Sequence, residues 1–161
     1  VGAAALVEAL AVIGAGVAEE VEQDHAAATF APKIGREVAR VDWTVSAREV
    51  ADHVRGMDPV PGAWSPLEGG DPVKLYRPTV WSADEIAALD ASGPPSNGGP
   101  RRASGSGEPG LVLLTDVGEG VLVGTGDGAV AFAEVQPPGK RRMSASDWIN
   151  GRGVESGQRF G

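Results

Sequence analysis

Leu6, Leu10, Ile13 and Val17 recur at spacings of four, three and four. That is one stripe of an α-helix, and Gly14 and Gly16 end it as glycine does near a helix C-terminus. The spacing predicts an amphipathic helix over residues 1–18. Glu8 in its middle, the lack of a basic residue ahead of it and the short, Ala-rich run argue against a signal peptide or membrane span. Such a stripe needs a surface to bury it, and no capping residue precedes it, so the chain reads as the tail of a longer protein. Residues 19–42, acidic and then Ala-rich at the start, read as a linker in which His25 is solvated.

Beyond residue 43 the apolar positions shorten into strand-sized runs. Ser46-Ala47-Arg48-Glu49 is a capping box, with Ser46 as N-cap and Glu49 reaching back from the third position. Val45, Val50, His53 and Val54 mark the buried side of the helix it opens, which ends at Gly56. Pro59, Pro61 and Gly62 force an extended turn. Ala63 to Leu67 and Pro72 to Arg77 read as strands of a hairpin, and Leu111–Leu114, Val121–Gly124 and Ala129–Val135 as three more. Ser144 is an N-cap for a last helix through Trp148, Ile149 and Asn150, stopped at Gly151. The fold class is therefore mainly β with a few helices (α+β): a small OB-like Greek-key barrel over 43–161, preceded by a helix and linker.

Composition sharpens this picture. The 161 residues include 24 Gly and 12 Pro but only 5 % aromatics, which fits a protein rich in turns. Residues 91–110 hold so much Gly, Pro, Ser and Asn that an insertion near 82–107 is expected to be disordered. Without Cys there are no disulfides, thiolate metal sites or Cys nucleophile, and two distant His do not suggest a metal centre. The formal net charge of −8 argues against a wholesale nucleic-acid binder. Much of the acidity, however, lies in Glu8, Glu19, Glu20, Glu22 and Asp24, before the first Lys or Arg. Gly124-Thr125-Gly126-Asp127-Gly128 is followed by a strand instead of a helix, so its glycines belong to a hairpin and not to a phosphate loop. Lys140-Arg141-Arg142, held between a strand and a helix start, are placed for a polyanion or for solvent, on even terms.

Several stretches, in order, resemble the methionyl-tRNA formyltransferase family. Ala28-Thr29-Phe30-Ala31-Pro32-Lys33-Ile34 is similar to its linker and Ala39-Arg40-Val41-Asp42-Trp43 to the entry of its C-terminal domain. Val54-Arg55-Gly56 with Pro59-Val60-Pro61-Gly62-Ala63 resembles its helix exit. Thr125-Gly126-Asp127-Gly128 and Gln136-Pro137-Pro138-Gly139-Lys140-Arg141-Arg142-Met143-Ser144-Ala145 resemble its last hairpin and basic turn, continued by Asp147, Asn150 and Gly151. The likeness covers the chain apart from the insertion.

The resemblance implies formyl transfer from 10-formyltetrahydrofolate to the methionyl amino group of initiator tRNA, in translation initiation. It implies a Rossmann-like N-terminal domain that binds the folate and carries an Asn/His/Asp catalytic set; only the last helix of that domain is matched here, at 1–18. No catalytic residue and no bound cofactor are expected in this chain itself, with the folate as co-substrate of the missing domain. The expected role is tRNA positioning in the cytoplasm by a monomer, without DNA or membrane partners. Its contact candidates are Lys33, Arg36 and Arg40 in the linker and Lys140, Arg141 and Arg142 in the turn. Arg40 could equally pair with Asp42 or Glu37. The few aromatics must also fill a core, which favours backbone contact over base stacking. The alternatives are a non-catalytic barrel for protein or interdomain contact, or the C-terminal domain of a related sugar-nucleotide formyltransferase.

Overall fold

A computed structural model describes residues 2–91, 101–102, 108–116 and 118–161. The chain divides into two units, Val1–Lys33 and Ile34–Gly161. The first holds helix α1 (Gly2–Gly14) and one 3-10 turn (His25–Ala27), capped where the Ala26 amide donates to Asp24 Oδ1 at 2.8 Å. Leu6, Leu10, Ile13 and Val17 are all exposed, so the stripe finds no cover within its own unit. His25 opens that turn and is exposed.

The second unit is an antiparallel α+β body. After a short 3-10 turn (Glu37–Ala39) come α2 (Ala47–Met57), β1 (Trp64–Pro66), β2 (Pro72–Trp81), α3 (Ala83–Ala91), β3 (Arg101–Arg102), β4 (Val112–Asp116), β5 (Gly120–Gly124), β6 (Ala129–Gln136), β7 (Met143–Ser144) and α4 (Ala145–Asn150). The strand order is β1-β2-β6-β5-β4-β3, with β7 paired to β6. Residues 157–161 then run between the segment that follows β1 and the segment that precedes β4. Phe160 pairs with Leu67 and Arg159 with Leu111, the Gly161 amide donates to Pro66 O, and the Phe160 amide donates to Gly110 O.

The reasons for these elements are local. The Ser46 box forms as the spacing requires: Glu49 N–H donates to Ser46 Oγ, and Ser46 N–H to Glu49 Oε2 at 3.0 Å. The next free amide of α2, on Ala47, donates to Asp127 Oδ1 at 2.8 Å, so the β5–β6 hairpin caps a helix distant in sequence. Ser144 caps α4 through the Asp147 amide. Val50, Ala51 and Val54 of α2, Trp148 of α4 and the inner positions Val73, Leu75, Val121, Val123, Val130, Phe132 and Val135 form the main core. Trp43 lies within it, edge-on to Phe132 and tilted against Phe160, its indole N–H donating to Ser65 Oγ at 3.0 Å.

The stretch expected as a disordered insertion begins differently. Ser82 and Glu85 make a second capping box, and buried Ile86 anchors α3 to Leu113, Leu114, Leu122, Ala129 and Ala131 in a smaller core. The backbone of Arg101–Arg102 pairs with β4. Residues 92–100 and 103–107 lie outside the described ones.

Candidate nucleic-acid interface

Antiparallel register sets up the site. Trp64 pairs with Lys74 across β1 and β2, and Lys74 with Gln136 across β2 and β6. Directly opposed residues share a sheet face, so these three form one row. Strands are about 4.8 Å apart, which puts the row's ends roughly 10 Å from each other. The inward neighbours Val73, Leu75 and Val135 are buried, so the row faces outward.

Arg36 and Arg40 lie at the Trp64 end. Their guanidinium carbons are 5.1 and 5.9 Å from the Trp64 ring centroid, a cation–π distance. The indole N–H donates to Arg36 O at 2.8 Å, and Val41 N–H donates to Trp64 O at 2.9 Å, fixing the segment on which both arginines ride. Arg40 forms no ion pair with Asp42 or Glu37. Asp42 instead accepts from the Thr44 amide and hydroxyl, which hold its carboxyl below the usual carboxylate range.

The β6–β7 turn lies at the Gln136 end. The Gln136 amide NH2 donates to Lys140 O at 3.0 Å while its oxygen accepts from Tyr76 OH at 3.2 Å. Lys140 N–H closes the turn on Pro137 O. Lys140 and Arg141 are exposed.

Arg142 is different. Its guanidinium grips Asp58 with two hydrogen bonds of 2.7 and 3.2 Å, reaches Glu134 at 2.5 Å and lies 3.9 Å from the Tyr76 ring centroid. The hydrogen bond from Arg142 holds the Glu134 carboxyl below its ordinary range, and the bonds to Asp58 raise Arg142 above its own. Burial pushes the Tyr76 phenol up. Arg77 also pairs with Glu134, so the acids of this patch are matched by its own cations. Among the described residues, Arg36, Arg40, Lys74, Lys140 and Arg141 enter no ion pair.

Two expected cation groups thus meet along one row, joined by Lys74, which sequence reasoning passed over because register is not written in local spacing. Lys33 belongs to the first unit and is exposed there. No group of three or more His, Asp or Glu able to hold a metal is found among the described residues.

The sequence profile "Formyl transferase, C-terminal domain" matches residues 33–153, which include both cation groups. The chain belongs to this formyltransferase family. The methionyl-tRNA formyltransferase of Aromatoleum aromaticum is 36 % identical over 159 residues, 99 % of this chain and 43 % of that protein. That of Streptococcus pyogenes serotype M12 is 34 % identical over 153 residues, 95 % and 42 % respectively. The chain spans less than half the length of these relatives. Among solved structures, the fold is shared with HypX from Aquifex aeolicus, at a TM-score of 0.59 and 23 % identity over 94 % of this chain and 23 % of that one. HypX in complex with tetrahydrofolic acid matches at a TM-score of 0.58 and 22 % identity.

Proposed function

We propose that this chain is the tRNA-holding part of a methionyl-tRNA formyltransferase. The observation that carries the reading is the row of cations outside any ion pair, Arg36 and Arg40 at one end, Lys74 between, Lys140 and Arg141 at the other, on a body where Asp58 and Glu134 are paired with Arg142. A fixed line of ammonium and guanidinium groups neutralises phosphates and fixes the register of an RNA without reading its sequence. Lys33, in the first unit, is a separate candidate contact. Arg142 serves by holding the turn, because its charge is spent on Asp58 and Glu134.

Formyl transfer from 10-formyltetrahydrofolate to the methionyl amino group would then take place on a separate domain that binds the folate, and this polypeptide alone is expected to give no turnover in a formylation assay. A cytoplasmic, monomeric setting goes with this role. No helix among the described residues is long and apolar enough to cross a membrane.

Filter binding of initiator tRNA across a salt series tests the reading. Affinity should fall steeply with salt, and replacing Lys140 and Arg141 by Ala should reduce the log–log slope by roughly 1.5 as two phosphate contacts go. An unchanged slope removes the turn from the interface. The net charge of −8 favours a second reading, a barrel for protein or interdomain contact. Absence of tRNA binding even at low salt would overturn the first reading and leave the second.

A further inference from the structure

Trp64 does more than support two arginines. It lines a cleft of about 320 Å³ together with Pro61, Pro72, Arg36 and Lys74. Three walls are flat and apolar, and both polar lining residues are cations; among the described residues no acid lines it. The volume is at the low end of small-molecule sites, roughly 300–1,000 Å³, and suits one flat group rather than a stretch of helix. The Cγ–Cδ stem of Lys74 is held in place: a Cβ added at Gly62 would lie 2.9 Å from Lys74 Cδ and 2.7 Å from Tyr76 Oη, so the glycine lets the turn close over both side chains.

We propose that this cleft takes a single unstacked nucleotide of the bound tRNA, its base against Trp64 and the prolines and its phosphate on Arg36 and Lys74. The proposal rests on the tRNA-holding reading and adds to it. Flat apolar walls accept any base face, and the exclusively cationic lining selects an anionic handle. The expectation of backbone contact alone, drawn from the small number of aromatics, overlooked that one Trp stays half-exposed beside the cations while Trp43 and Trp148 go to the core.

The test compares Trp64→Leu, Trp64→Phe and Lys74→Met with the wild-type chain in tRNA binding over a salt series. Losing the stack should weaken binding at least about fivefold with the salt slope unchanged, and Trp64→Phe should recover most of it. Lys74→Met should lower the slope by about one, a readout that survives if Trp64→Leu does not fold. Equal loss in Trp64→Leu and Trp64→Phe would make the indole a mere support for the Arg36 carbonyl and overturn the proposal, as would wild-type affinity in Trp64→Leu. Salt-dependent tRNA binding with no effect of any variant would sink the cleft but leave the function standing; no tRNA binding at all would sink both. Titration with AMP separates sources. Quenching of Trp emission in wild type but not in Trp64→Leu extends the site to free nucleotides, and its absence alongside the tRNA effects confines the site to RNA.

Discussion

Arg142 is the residue on which the basic turn depends. It makes four contacts at one point: two hydrogen bonds to Asp58, one to Glu134, and the face of the Tyr76 ring. With its side chain about one-third exposed, solvent screens the pairs in part. Arg142→Met should therefore cost about 1–3 kcal/mol in urea unfolding, because Asp58 loses its partner and Glu134 keeps only Arg77. The sign of the pH effect follows from Glu134, whose folded carboxyl is depressed by the Arg142 bond. Its contribution is present in full above the ordinary glutamate value of 4.5 and is lost as pH falls through the lower folded value. The stability gap between wild type and Arg142→Met should hold at pH 6–8 and shrink below about pH 4.5. A gap that stays constant down to pH 3 would disconnect Glu134 from it. The sequence placed three equal charges here. Only tertiary structure reveals that one faces Asp58, which lies far back in the chain at the end of α2.

Elements were the most legible scale. The Ser46 box and the Ser144 cap act through residues three apart, and local spacing carries that information directly. The same rule applied at Ser82 and Glu85 identifies α3, but the Gly, Pro and Ser content downstream hid a signal of four residues. The hairpin glycines at 124–128 were legible as a turn; their second task was not, since Asp127 caps α2 across a gap that no local motif spans. Two caps on one helix start give a graded expectation. Ser46→Ala should cost about 1 kcal/mol, and Asp127→Ala a similar amount, by thermal or urea unfolding. Because both act on amides of the same first turn, those of Ala47 and Glu49, the double variant should depart from additivity, and a strictly additive result would show that the caps work independently.

For the whole molecule, the decisive feature is the return of residues 157–161 to join Leu67 and Leu111. Alternation and turn residues foretold a small antiparallel body, yet nothing in Gly157-Gln158-Arg159-Phe160-Gly161 looks like a strand. Its place is set by partners beside β1 and beside β4. Gly110 has φ +80, and a Cβ there would lie 2.1 Å from Phe160 O, so the approach requires glycine. Phe160 is buried against Trp43, and Phe160→Ala should cost about 3–5 kcal/mol by urea unfolding. Gly110→Ala should destabilise by a comparable route, through loss of the Phe160 amide bond to Gly110 O. The OB-like label expected from strand count adds nothing that this closure and the strand order do not already describe.

Gln136 uses both ends of one amide, its oxygen on the Tyr76 hydroxyl and its nitrogen on the Lys140 carbonyl. A carboxylate of the same shape has no proton to give Lys140 at neutral pH. Hydrolysis of that single side chain to glutamate would thus unlatch the turn and, in the same event, place a new anion in the row beside Lys74. The chemical ageing of one neutral residue would then abolish the polyanion affinity proposed above while the core stays whole.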